Sequence, residues 1–252
     1  MKGSMSRLAL VVASLLVVSA RSAAAQDPAA PADTVRAVSV VADFGLVDAS
    51  GNSDVTSFTA SERLEWKPEA SRWILSQTFK AVYGRTDGAT SAESYRGSVR
   101  ADRRITDHLQ LFVAGGFERD RFAGISRRFE ELVGIGARLL DQPRQTLEIE
   151  AGAAFTQQRS IADLDDNFVA ARGAATYQYK FTDAASLRQQ VEVLENLEET
   201  DDLRINSETA LVAPLSRRIA IKVAYVIRFD NVPEPTFGKT DRILSSGMQV
   251  SF

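Results

Sequence analysis

Apolar residues recur at every second position through almost the whole chain after residue 35, and this spacing limits the fold more than any other feature. A period of two belongs to strands with unlike faces. The i, i+3, i+4, i+7 spacing of an amphipathic helix accounts for almost nothing here. Twelve alternating rows can be read. Val38, Val40, Ala42, Phe44 and Leu46 make the first, closed by Gly51-Asn52-Ser53-Asp54. Trp73, Leu75, Phe79, Ala81 and Tyr83 make the third, and Ile219, Ile221, Val223, Tyr225, Ile227 and Phe229 the eleventh. Each row spans about 10–14 residues, enough for a tilted strand to cross a bilayer. Even-numbered connections read as short turns, and odd-numbered ones as mostly longer polar loops such as Thr86–Ser91, Ser160–Asp166 and Asn231–Thr240. The pattern predicts an all-β fold: an antiparallel up-and-down transmembrane β-barrel of about twelve strands, with apolar rows toward lipid.

The opposite rows carry charge of both signs: Asp43, Arg63, Glu65, Lys80, Arg96, Arg100, Asp102, Arg104, Glu118, Glu130, Arg138, Glu148, Glu150, Arg172, Lys180, Arg188, Glu192, Arg204, Glu208, Lys222 and Arg228. Such groups need water or each other and do not form a dry core. Of these, Arg96, Arg100, Arg104, Glu118, Glu130, Arg138, Glu148, Glu150, Arg172, Lys222 and Arg228 are singled out as lumen-lining. Arg100 and Arg104 are expected on the side of Glu118, and Glu148 and Glu150 on that of Arg138. Two readings of the lumen follow: a structural interior held by ion pairs and water, or a narrow pore for small solutes. Twelve strands lie between the filled small barrels and the open channels of 16 to 18. Glu62, Gln77, Gln189 and Glu195 break the pattern by falling on the lipid row, which a bulge or a protein contact would explain.

The two ends of the chain point to the same place. Lys2 and Arg7, the apolar run Leu8–Val18 and the small residues before Gln26 predict a signal peptide over residues 1–25. A Pro/Ala-rich periplasmic leader over 26–35 and the barrel over 36–252 follow. Losing Lys2, Arg7 and Arg21 takes the formal net charge from −3 to about −6, which argues against nucleic acid as a partner. Cysteine is absent from the sequence, so neither a disulfide framework nor a lipid anchor on cysteine can form. At the other end Leu244, Met248, Val250 and Phe252 share one side of a strand. That ending resembles the C-terminal signal of bacterial outer-membrane barrels, with Phe252, Val250 and Met248 as the part read by the insertion machinery. The resemblance implies outer-membrane lipid and lipopolysaccharide as surroundings. Trp66, Trp73, Tyr177, Tyr179 and Phe181 fall near one end of the strands. Tyr83, Tyr95, Phe117, Phe129, Phe155, Tyr225 and Phe229 fall near the other, as two interfacial girdles would.

Candidate chemistry is sparse. The single histidine, His108, lies in the turn Thr106-Asp107-His108-Leu109, and one histidine without cysteine assembles no metal site. Gly134-Ile135-Gly136 lies mid-strand and opens no helix, so it suits a bend in a wall better than a nucleotide loop. The acidic clusters Asp163–Asp166 and Glu198–Asp202 lack the spacing of a calcium loop. No catalytic residue, metal or cofactor is therefore assigned. The competing readings are a barrel enzyme acting on lipid or peptide, and a soluble periplasmic barrel, which requires an apolar interior.

Three further segments carry a more specific likeness: Gly51–Asp54, Asp120–Ile125, and Val226–Pro233 continuing through Lys239-Thr240-Asp241. Together with Phe252 they resemble the family of outer-membrane proteins typified by the salt-stress-induced YdiY protein, a domain of unknown function. The resemblance covers nearly all of the chain after the leader. It implies an outer-membrane β-barrel with no established enzymatic activity or cofactor, and no catalytic residues to carry over.

Overall fold

The computed structural model describes residues 37–49, 55–121, 123–182, 185–216, 218–234 and 237–251. The segments read as signal peptide (1–25) and leader (26–35), the first turn Gly51–Asp54, and Phe252 lie outside the described residues. Twelve strands follow one another: β1 Val38–Ala49, β2 Val55–Trp66, β3 Trp73–Thr86, β4 Ala89–Arg104, β5 Leu109–Asp120 and β6 Ile125–Gln142. The second half is β7 Gln145–Ser160, β8 Asp165–Lys180, β9 Ser186–Asn196, β10 Leu203–Pro214, β11 Ile219–Asp230 and β12 Thr240–Ser251. Each strand pairs antiparallel with its neighbours in sequence, and β12 returns to β1, so the sheet closes on itself. Closure matters because it leaves no unpaired edge. The end at which β1 begins and β12 finishes is called here the terminal end, and the opposite one the loop end.

The strands run further than the alternation alone suggests. The expected loop Thr86–Ser91 is a two-residue turn, Asp87-Gly88, with φ of 50° and 79°. Positive φ at both central residues is what lets a tight hairpin match the strand twist. Likewise the loop expected over Ser160–Asp166 shortens to residues 161–164. The contrast expected between short and long connections is thus confined to the last loop, residues 231–239. The apolar pattern stops where the apolar band stops, but the hydrogen-bonded ladder continues past it through polar residues such as Thr90, Ser91 and Asp165.

Polarity is inverted relative to a water-soluble protein. The outer rows expose Val99 (60 %), Val133 (59 %) and Trp73 (46 %), whereas the inward side chains of Arg172 and Arg204 are each 8 % exposed. Aromatic rings collect toward both ends of this wall. Phe117 and Phe129 meet at 5.2 Å toward the loop end, and Tyr179 and Phe181 at 5.1 Å at the terminal end. Arg103 stands 5.8 Å over the Trp73 ring at the same end.

The register irregularities lie at Gly84/Arg85, Glu118/Asp120, Ile125/Arg127 and Arg138/Leu140. None falls beside Glu62, Gln77 or Gln189, so these side chains stay on the outer row. They satisfy one another instead: Gln77 hydrogen-bonds Glu62, and Gln189 bonds Ser207 at 3.0 Å and also Thr209. Local pairing is what an apolar surrounding demands of a polar group.

The seam is the shortest ladder. Among the described residues β1 and β12 share four registered pairs, Val41 with Ser251, Ala42 with Val250, Asp43 with Gln249 and Phe44 with Met248. Met248 and Val250 therefore sit at the closure itself.

Candidate functional site

The inward rows enclose a cavity of about 510 Å³ lined from every strand but β7. Arg96, Arg100, Glu118, Glu130, Arg172, Lys222 and Arg228 line it, together with Arg63, Lys80, Arg188 and Glu192. Glu150 joins the same network through Arg100 and Arg172. Arg138 and Glu148 are not brought to the cavity; they pair with each other at 2.7 Å near the β6–β7 turn, with Asp141 at 3.3 Å. Arg104, the last residue of β4, also lies away from it at the terminal end.

Among the described residues, ion pairs join four pairs of strands that stand three or more apart around the ring. Toward the loop end Arg228 Nη1 donates to Asp120 Oδ2 at 2.8 Å, joining β11 to β5, and Arg204 reaches Glu130 at 3.4 Å, joining β10 to β6. At mid-height Lys80 Nζ donates to Glu208 Oε2 at 2.5 Å, joining β3 to β10. Nearer the terminal end Arg100 Nη2 donates to Glu150 Oε1 at 2.7 Å, joining β4 to β7. Lys222 adds a shorter link to Asp43 at 2.8 Å over β12. Shape, rather than net stability, is what such pairs fix, because desolvation offsets much of their attraction.

Glu118 is held differently from the expectation. Its partners are Arg96, which the β4–β5 register sets directly opposite, and Arg128 at 3.2 Å. Arg100 instead holds Asp102 at 2.6 Å and Glu150 at 2.7 Å. Arg172 completes that group, donating from Nη1 to Glu150 at 2.8 Å and from Nε to Glu192 at 2.6 Å.

One side of the lumen is apolar, which the list of charged residues missed. Ala154, Phe168, Ala170 and Leu194 form a buried cluster with Leu132 against it, all on β6 to β9. Phe112, 2 % exposed, lies 4.0 Å under the Arg100 guanidinium and 5.6 Å from that of Arg172. A guanidinium stacked on a ring is attracted by the ring quadrupole and keeps its edge donors free for carboxylates. The signal was present in the sequence: Phe112, Leu132, Phe168 and Leu194 are apolar residues on inward positions of adjoining strands. Gly134 explains why the ring fits. A side chain there would place its Cβ 2.7 Å from Phe112 Cζ and 2.5 Å from the Ala151 carbonyl oxygen.

The remaining candidates are placed as follows. His108 lies in the β4–β5 connection at the terminal end, where its backbone N–H donates to Thr106 Oγ1. Arg159 holds Asp163 at 2.7 Å, and Asn196 donates to Asp202 at 3.1 Å, so each acidic loop has ordinary partners. No cluster of three metal-ligating side chains occurs among the described residues.

The comparisons with known proteins agree with this architecture. Residues 42–252 match the family described as protein of unknown function, DUF481. The uncharacterized protein YdiY of Escherichia coli (strain K12) is 26 % identical over 199 residues, covering 79 % of this chain and 77 % of that one. Among solved structures, an outer membrane channel from Pseudomonas putida F1 matches with a TM-score of 0.52 and 13 % identity, over 89 % of this chain and 100 % of that one. At that identity the likeness concerns the fold, a closed antiparallel barrel. With the family match spanning the barrel to its last residue, the chain belongs to the DUF481 family of proteins of unknown function.

Proposed function

We propose that this protein is a non-enzymatic outer-membrane β-barrel whose charged lumen is a narrow passage for small hydrophilic solutes. The observation that carries the reading is the polarity of the wall: valines and a tryptophan outside, arginines and carboxylates inside. In water that arrangement exposes a continuous apolar band, whereas in a bilayer the same band is solvated by acyl chains. The fold likeness to an outer membrane channel supports the same surroundings. Export through a cleaved signal peptide, insertion by the outer-membrane machinery that reads Met248, Val250 and Phe252, and contact with lipopolysaccharide belong to this proposal.

The passage is narrow because four struts and an apolar flank occupy it. Ions and small polar molecules fit between the struts; folded or polymeric cargo does not. Planar-bilayer recording on the refolded chain tests this. Steady, small single-channel steps are the expected result. Silence over a wide voltage range would leave a sealed structural barrel instead.

A further inference from the structure

We propose that Arg63 and Arg188 form a binding site for a small oxyanion in the terminal-end half of the lumen. Every other cation named as lining the 510 Å³ cavity on β3 to β11 has a carboxylate within 4.0 Å. Arg96 and Arg128 have Glu118, Arg100 has Asp102, and Arg172 has Glu150. Lys80, Arg204, Lys222 and Arg228 have Glu208, Glu130, Asp43 and Asp120. Arg63 and Arg188 also line this cavity, yet among the described residues neither side chain makes an ion pair or a hydrogen bond.

Their placement makes the omission consequential. Arg63 is the fourth residue from the end of β2 and Arg188 the third of β9, so both sit toward the terminal end on nearly opposite walls. Arg188 lies in the field of Arg63 and of Glu208, Glu148 and Glu65. Each of those carboxylates is already engaged: Glu208 by Lys80 at 2.5 Å, Glu148 by Arg138 at 2.7 Å and Glu65 by Lys67 at 2.6 Å. Two cations of one half of the lumen are therefore left without a carboxylate in ion-pair contact among the described residues, and draw an anion from solution.

Guanidinium geometry sets the class of ligand. Each Arg presents a planar fork that matches the paired oxygens of a carboxylate or phosphate, so a pair of forks favours an anion with several such oxygens over a spherical halide. Ser76, on the strand beside Arg63 and also lining the cavity, supplies a hydroxyl donor for a remaining oxygen. The inference requires a wet lumen but no through passage, so it goes beyond the conduction reading.

The test uses the full barrel refolded in detergent at low salt and titrated calorimetrically with inorganic phosphate. Saturable one-to-one binding is expected, weakened at least tenfold in an Arg63→Gln/Arg188→Gln double variant and little changed in Arg104→Gln. Absence of saturable binding to the unmodified chain, or equal binding by the double variant, overturns the proposal. Should the double variant fail to fold, Arg63→Gln alone decides it, since Arg63 is solvent-exposed and its side chain makes no ion pair or hydrogen bond among the described residues. Binding without bilayer current would sink the passage and keep the site; current without binding would do the reverse.

Discussion

Arg228 and Asp120 join strands that stand diametrically opposite in the barrel: five strands separate β11 from β5 in either direction, and a 2.8 Å hydrogen bond closes the gap. The lumen at this level is therefore no wider than two extended side chains. Arg96 and Arg128 gather around the neighbouring Glu118, and Arg228 approaches it to 4.0 Å, so the strut is braced rather than isolated.

Removing the strut should widen the passage. Arg228→Met is expected to raise single-channel conductance and to lower stability by about 1.5–3 kcal/mol, the usual range for a hydrogen bond to a charged group. Urea unfolding in lipid vesicles reads the second effect. A double-mutant cycle with Asp120→Asn separates the coupling from the cost of a stranded carboxylate.

Phe112 narrows the lumen from the apolar side, beneath Arg100 and Arg172. Phe112→Ala should cost about 3–5 kcal/mol, as large-to-small changes at buried aromatic sites do. It should also loosen the Arg100–Glu150 link and raise conductance. Unchanged stability would show that the ring is not packed as described.

Gly134 should tolerate no side chain. With the Ala151 carbonyl oxygen 2.5 Å from an added Cβ, backbone as well as the Phe112 ring must move. Gly134→Ala is expected to destabilise by about 1–3 kcal/mol, the range for overpacking. Phe112→Ala in the same chain should recover only the part due to the ring, a split that unfolding measurements on the three variants would display.

Glu62 lies on the lipid row with Gln77 as its hydrogen-bond partner. Replacing both with leucine should stabilise the barrel in lipid by about 1–2 kcal/mol, since acidic groups on this face cost less than the 2–4 kcal/mol of Arg or Lys at the midplane. A loss of stability would instead indicate that a protein partner covers this face.

The β1–β12 seam, with four registered pairs, should be the first part of the wall to open. Hydrogen exchange in micelles is expected to reach the amides of β1 and β12 before those of β6 and β7, which share a ladder from Ile125–Ser160 to Gln142–Gln145. Uniform exchange around the ring would contradict a weak seam.

Much of the wall was legible in the sequence because residues such as Ile221, Val223 and Tyr225 alternate without interruption, and all three face outward. The strand ends were less so. Thr90 and Ser91 read as loop because their polarity matches a loop, while their backbone continues a ladder that polarity does not report. Arg138 with Glu148 could be anticipated, because one short hairpin brings them opposite. Glu118 could not be assigned its cations: Arg100 and Arg104 are nearer to it in sequence than Arg96, and only the register singles out Arg96.

Which face each side chain takes was decided by the sequence itself, because a strand turns every residue over and the two-residue pattern travels with the chain. How wide the interior is, and which charges meet across it, was decided by the closed ring. Arg228 finds Asp120, and Arg63 and Arg188 pair with no carboxylate among the described residues, through the stagger of twelve strands, a property that no single strand carries.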